Sequence, residues 1–330
     1  GGPNRMLATS DLPRQQYAAA ELQMTGYHQD QEASAKLPKW VPMPTAGTPP
    51  VTWQRQVLFV KDDNAMGVNY LLLRDTVQGK QPTAWQMWTL SEKIGTPDEV
   101  KNLDAFLKDK PGKTFVDAHE LKGDRFTAVG QYGVDVEYFI ASPTNTPRHT
   151  LRCGYDFYSQ CDDFQDLLHL QLPGDGAYFV AFYPRKRSEP VPVFSTLGDG
   201  KIIKVSGPWG TDYNFLSAAD APVYGEGVSF KGTAASVQDR AGSIVLSLSA
   251  GGEVLYQSVG LVSGSPASLR VTGKQAQVNL PPGHPATKLT VYLSGIWTTK
   301  TAGAPLTPSG KSTWQLTAPA GVNQVVLQSR

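Results

Sequence analysis

The sequence predicts a mainly β protein: a large antiparallel β-supersandwich with a short helical insertion and a smaller C-terminal β layer. Three observations carry this expectation. Charged residues make up only 18% of the 330-residue chain, while Gly (32) and Pro (25) are abundant, a balance that suits short strands joined by turns. Residues 56–90 hold three short apolar runs, at 57–60, 70–77 and 84–90, each β-branched or aromatic-rich and bounded by Gly, Asn, Asp or Pro. That is the pattern of adjacent antiparallel strands. From Phe115 onward, apolar runs recur at regular intervals between turn residues, which reads as a sandwich and not as βαβ units.

Taken in order, residues 1–50 read as an N-terminal arm and linker. Within 12–35 the chain is rich in Ala, Gln and Glu, and Asp11 with Pro13 in the first turn predicts a short helix. The Pro-rich stretch 36–50 reads as an extended linker. Residues 51–222 read as the main β-sandwich. The 70–73 run is apolar throughout, so its strand is expected deep in a sheet buried on both faces. Residues 94–111 carry a helix signal: Thr96 as cap, Pro97 at the first position, Glu99 completing a capping box, and Val100, Leu103, Phe106 and Leu107 on one face. Strands are expected at 125–129, 134–141, 167–172, 177–183, 201–206 and 211–216. Gly174-Asp175-Gly176 and Gly198-Asp199-Gly200 are turn signals between them, since Gly adopts positive φ at little cost. Residues 223–330 alternate apolar and polar more cleanly, for example at 243–249 and 289–293, as in a smaller sheet with one solvated side.

A net charge of +1 provides no global field to recruit nucleic acid or a membrane surface, and the apolar runs are too short for a spanning helix. The chain opens at Gly1-Gly2-Pro3, as a processed product, a fragment or a mature exported protein would. The expected location is secreted, extracellular or periplasmic. Cys153 and Cys161 are close enough for a hairpin to bring their thiols into bridging range, and a disulfide is expected, with two independent buried thiols as the other reading. A bridge implies an oxidising compartment.

The strand Arg-x-Val-Leu-Phe-Val at 55–60 is followed by Asn69-Tyr70-Leu71-Leu72-Leu73-Arg74-Asp75-Thr76-Val77 and then by a Trp-rich strand. This order resembles the β-sandwich region of bacterial heparinase II/III-like polysaccharide lyases. Shorter matches at 177–185, 210–213 and 228–233 extend the resemblance over about residues 54–262. The resemblance implies a β-supersandwich C-terminal to an (α/α) toroid, with an acidic, uronate-containing polysaccharide cleaved by β-elimination in the groove between them. A base removes the proton α to a carboxylate whose charge is neutralised. In that family the base and the neutralising groups come largely from the toroid. No catalytic residue is therefore assigned to this chain, and an (α/α) domain or chain is the expected partner. Some members hold a metal in the sandwich; Asp75 matches the strand aspartate and His119 is a downstream candidate. Two ligands fall short of a structural zinc site, and an Asp75–Arg74 pair is the simpler reading. No cofactor is expected.

The remaining candidates have structural alternatives beside them. Trp85 and Trp88 project to opposite faces of one strand, so one belongs to the core and Trp88 is the candidate for stacking on a sugar ring. Arg185 and Arg187, read as a basic loop after a strand, suit bidentate contact with glycan carboxylates, although solvated charge is the ordinary role of such a loop. Asp62-Asp63-Asn64 and Asp162, Asp163 and Asp166 are carboxylate clusters of the kind that hold Ca²⁺, but turn formation explains them more simply. His149 and His169 lack a nucleophile partner at a telling spacing. HExxH, GxSxG, Walker-A and GxGxxG patterns do not occur. The expected function is the β-sandwich portion of a lyase acting on uronate glycans. The alternative is a non-catalytic extracellular glycan-binding or assembly protein.

Overall fold

The computed structural model describes residues 4–24, 49–108, 119–154 and 164–330. Among these the chain is mainly β, built of several antiparallel sheets, as the sequence predicts. It divides into two compact units. Unit one comprises Gly1–Arg5, Ala20–Arg55 and Tyr70–Val191; unit two comprises Met6–Ala19, Gln56–Asn69 and Pro192–Arg330. The division after Val191 precedes the boundary expected at 222, and it cuts through the long strands Asn4–Leu12, Gln15–Met24 and Val51–Val60. The first two of these replace the helix expected near the N-terminus. Helix propensity is a weak prior that tertiary partners override, and here Gln15 and Tyr17 have such partners, described below. The expected linker at 36–48 and the Cys153–Cys161 bridge involve side chains outside the described set.

Unit one contains two sheets. In one, the strands Tyr70–Gln78, Gly176–Lys186, Val134–Ser142, Arg125–Val129 and Lys93–Gly95 are neighbours in that order. In the other the order is Thr83–Thr89, Phe164–Leu172, Arg148–Gly154 and His119–Leu121. The run at 84–90 is thus not in the same sheet as the 70–77 run, contrary to expectation. The connection turns at Gly79 (φ +142°) and Lys80 (φ +56°), whose amides both donate to the Asp175 carboxylate, at 2.7 and 2.6 Å. That anchor directs the chain across to the second sheet. The sheets meet through Trp85 and Phe182, with ring centroids 5.9 Å apart, and through the Thr83 and Tyr178 hydroxyls, 2.9 Å apart. Trp85, Tyr178, Phe179 and Val180 are fully or almost fully buried, each contributing roughly 1.5–3 kcal/mol by leaving water.

The expected helix is two short ones, Pro97–Val100 and Leu103–Lys108. Thr96 and Glu99 form the capping box. The break falls at Lys101-Asn102 because the Asn102 side chain accepts from the Ala105 amide (3.2 Å) and caps the second helix.

In unit two, a nine-stranded sheet and a seven-stranded sheet share one apolar core. Phe215 of the first stacks on Phe230 of the second, centroids 5.3 Å apart. This is the larger sandwich, not the smaller layer expected. The Gly198-Asp199-Gly200 turn uses positive φ at all three residues, as its composition predicts. Alternation along the strands Gly210–Leu216, Ala234–Arg240 and Ser243–Leu248 sends Phe215, Val237 and Leu246 into the core and Asp212, Asn214, Ser236, Gln238 and Ser247 to the other face. That polar face is buried and not solvated. Segments 6–19 and 56–69 of the same unit supply its partners. Gln15 bonds Ser236 and Ser249. Gln56 takes Tyr17 (2.9 Å) and the carbonyls of Ser217 and Thr233 (3.1 and 3.2 Å).

Candidate functional site

Asp75 is fully buried on its strand. Both of its oxygens accept from Arg55, Oδ1 from Nε at 2.8 Å and Oδ2 from Nη2 at 2.7 Å. The partner is Arg55 and not the expected Arg74, because neighbouring residues on a strand face opposite ways. Arg74 lies over the Phe179 ring, 5.2 Å from its centroid. His119 is an exposed residue opening the edge strand of the other sheet. The carboxylate of Asp75 is already matched by a cation, and the two residues sit in different sheets. They do not fit a metal centre. No cluster of three or more His, Cys, Asp or Glu able to hold a metal occurs among the described residues.

Arg185 and Arg187 do not form a free basic loop. The strand runs through Pro184 to Lys186. Pro184 is tolerated there because the pairing with Tyr70–Gln78 has ended at Phe182, so no ladder bond is lost on that side. Arg185 is buried and bonds Glu137 through Nε (2.8 Å) and Nη2 (2.7 Å). Arg187 bonds Asp135 (2.9 Å) and the Gly130 carbonyl (2.6 Å) through Nη2. The signal was present in the sequence: Asp135 and Glu137 alternate on one strand, Arg185 lies on the next with Arg187 just past its end, and antiparallel pairing brings the sets together.

Trp85 is buried and Trp88 is 43% exposed, on opposite faces of Thr83–Thr89 as expected. His149 and His169 face each other across a strand pair, ring centroids 6.3 Å apart. Burial pushes His169 down to about 4. Asp166 is a strand residue, not a turn residue. Burial pushes its carboxyl up to about 6, and Oδ2 accepts from Ser91 Oγ at 2.5 Å. The Tyr138 phenol shares a short hydrogen bond with the Thr89 hydroxyl and is pushed up to about 12 by burial. In unit two, Asp62 and Asp63 belong to a turn and to ion pairs. Arg240 bonds Asp212 with both nitrogens of its fork and Asp62 at 2.9 Å, while Arg14 and Arg270 hold Asp63.

Unit one also carries an open cleft that was not singled out in the sequence. Of about 750 Å³, it forms where residues 120–124 meet residues 144–148; Glu120, Lys122, Asp124, Asn145, Thr146 and Arg148 line it. Arg148 is only 7% exposed. Its Nη1 donates to the Thr146 carbonyl (2.9 Å) and its Nη2 to the Pro143 carbonyl (2.8 Å). No carboxylate lies within ion-pair distance of it among the described residues, and neither its Nε–H nor the Thr146 hydroxyl has a hydrogen-bond partner there. Burial lowers the pKa of the guanidinium, while the charge of Asp124 acts in the opposite sense. Asn145, with φ +58°, was the one local sequence cue, as an Asn suited to a tight turn.

No family model matches the chain, and no curated protein matches it.

Proposed function

We propose that this chain is the β-sandwich portion of a secreted polysaccharide lyase resembling the heparinase II/III enzymes. In this reading it presents one wall of a groove to a uronate glycan, and the proton-abstracting groups lie outside the described residues. The observation that carries the reading is how unit one uses its own acids and bases. The Asp75 carboxylate is bound to Arg55, Glu137 to Arg185, Asp166 to Ser91, and the Tyr138 phenol to Thr89. Each ties a buried acid or phenol into a structural bond, so these groups hold the scaffold. In this reading the surface contributes recognition, through the exposed indole of Trp88 and an open cleft lined by Lys122.

The test is ultraviolet absorbance during incubation of the complete native polypeptide, with any segments that accompany it, on glucuronate- and iduronate-containing polysaccharides. Elimination creates a conjugated unsaturated uronate, and a steady rise is expected. A flat trace on all of them overturns the lyase reading. The exposed Trp88 favours a second reading, a non-catalytic glycan-binding protein, and retained binding with a flat trace would select it.

A further inference from the structure

We infer that the strand Asn4–Leu12 is a self-association edge: a second copy of this chain adds its own Asn4–Leu12 antiparallel to it, about a two-fold axis at Ala8. The pairing sets Arg5 of each copy against Asp11 of the other.

Length sets this strand apart. A strand that ends its sheet presents a row of unpaired amides and carbonyls, and proteins ordinarily keep such strands short or interrupt them with proline or charge. Among the described residues, six of the eight edge strands hold three to five residues. The other two are Asn4–Leu12, with nine, and Thr83–Thr89, with seven. Asn4–Leu12 has no proline and carries no charge from Met6 to Ser10. Met6 (66%) and Leu7 (38%) are exposed on its opposite faces. Pro13 and Arg14 form a two-residue turn, so Leu12 and Gln15 exchange backbone bonds, and the Gln16 side chain donates to Asp11 across the hairpin (3.1 Å). Alternation then turns the amides of Asp11, Thr9, Leu7 and Arg5 away from the hairpin partner.

Charge fixes both the occupant and the register. In an antiparallel pair, residues whose amides turn outward on one strand face residues of the same kind on the other. A two-fold axis at Ala8 therefore places Leu7 against Thr9 and Arg5 against Asp11, while Met6 meets Ser10 on the other face and the small Ala8 side chains meet at the axis. A register moved two residues either way matches neither charge. A two-fold contact joins identical surfaces and needs such a self-complementary sequence. The Arg5 and Asp11 side chains are both 68% exposed. Arg5 bonds Glu21 through Nε and Nη2, and Asp11 bonds Lys61 and Gln16 through Oδ1, which leaves Nη1 and Oδ2 for the partner copy. Thr83–Thr89 has no charged residue with which to set a register.

The experiment is sedimentation velocity of the full chain over a series of concentrations, in low and high salt. One strand pair buries less than the roughly 1,200 Å² of a standard interface, so the expected result is a dimer that dissociates on dilution, and more readily in high salt. Arg5→Asp and Asp11→Arg each set like charges against one another at both ends of the pair, and each should weaken self-association by about tenfold. Both positions are exposed, so neither change endangers the fold. Mixing the two variants restores opposite charges at both ends and should recover association as a heterodimer. Thr9→Pro removes an outward amide without breaking a bond of the hairpin and should abolish the dimer. A chain that stays monomeric at every concentration overturns the inference, as does unchanged self-association in both charge variants or no recovery on mixing them. A dimer that survives Thr9→Pro and is lost in Trp88→Lys would lie at Thr83–Thr89 instead, and would overturn it too.

Discussion

Both units hold matched ion pairs, Asp75 with Arg55 and Glu137 with Arg185 in unit one, and unit one adds buried groups that bond a single hydroxyl. In unit two the interior between the sheets is apolar, and the charges collect on the outer face of the nine-stranded sheet as matched pairs: Arg240 with Asp212 and Asp62, Arg14 and Arg270 with Asp63. In unit one, Asp166 and Tyr138 lie in the interior and bond single hydroxyls, and their proton affinities are displaced by burial. Pairing cancels charge and leaves an arrangement sensitive to loss of one partner. Where burial outweighs the neighbouring cations, as it does for Asp166 beside Arg152 and Lys93, the arrangement is sensitive to pH.

The largest expected effect breaks the comparison in unit two. Asp212→Ala removes the fork partner of the buried Arg240 and should cost about 3–5 kcal/mol in urea unfolding. The equivalent lesion in unit one, Arg55→Met, strands the fully buried Asp75 and should fall in the same range, about 3–5 kcal/mol. An Arg55→Met loss under about 1 kcal/mol would show that this pair does not hold the sheet as the buried pair of unit two does.

The next effect sharpens the contrast in pH response. His169 has a folded pKa of about 4, below its unfolded value, so the unfolded chain takes up the proton first and acidification between about pH 6.5 and 4 destabilises the fold. Asp166, at about 6, lies above its unfolded value, so the folded chain takes up the proton first and acidification between about pH 6 and 4 stabilises it. The two slopes oppose each other. Asp166→Asn should steepen the loss of stability in acid, and His169→Phe should reduce or reverse it, each by roughly 1–3 kcal/mol across the window. Urea midpoints at a series of pH values measure both; parallel curves for the two variants would contradict the assignment.

Smaller effects follow at the surface. Thr96→Ala removes the cap and its box and should cost about 1 kcal/mol. Lys204→Ala, which breaks the pair with Glu226 in unit two, should change stability by less than about 1 kcal/mol, and by less still in high salt.

How much of this was legible in the sequence depended on how local the cause was. The strand at Arg125–Val129, the Thr96–Glu99 cap and the positive-φ turn at Gly198-Asp199-Gly200 follow from neighbouring residues, and all were readable. The crossing of Thr83–Thr89 to a second sheet was not, because its anchor, Asp175, is far along the chain. Nor were the strands near the N-terminus, whose Ala- and Gln-rich composition favours a helix until Gln15 meets Ser236 and Ser249. The cleft escaped for the same reason. Its two loops are remote in sequence, and neither carries a motif.

The guanidinium of Arg240 also lies over the indole of Trp209, 4.6 Å from the ring centroid. A fixed positive charge above an indole alters its excited-state energy, so this tryptophan is a built-in optical reporter. Selective replacement of the other tryptophans would leave a single emitter whose spectrum follows the arginine–aspartate cluster. Local opening of that cluster would then be visible in real time, before the sandwich beneath it lets go.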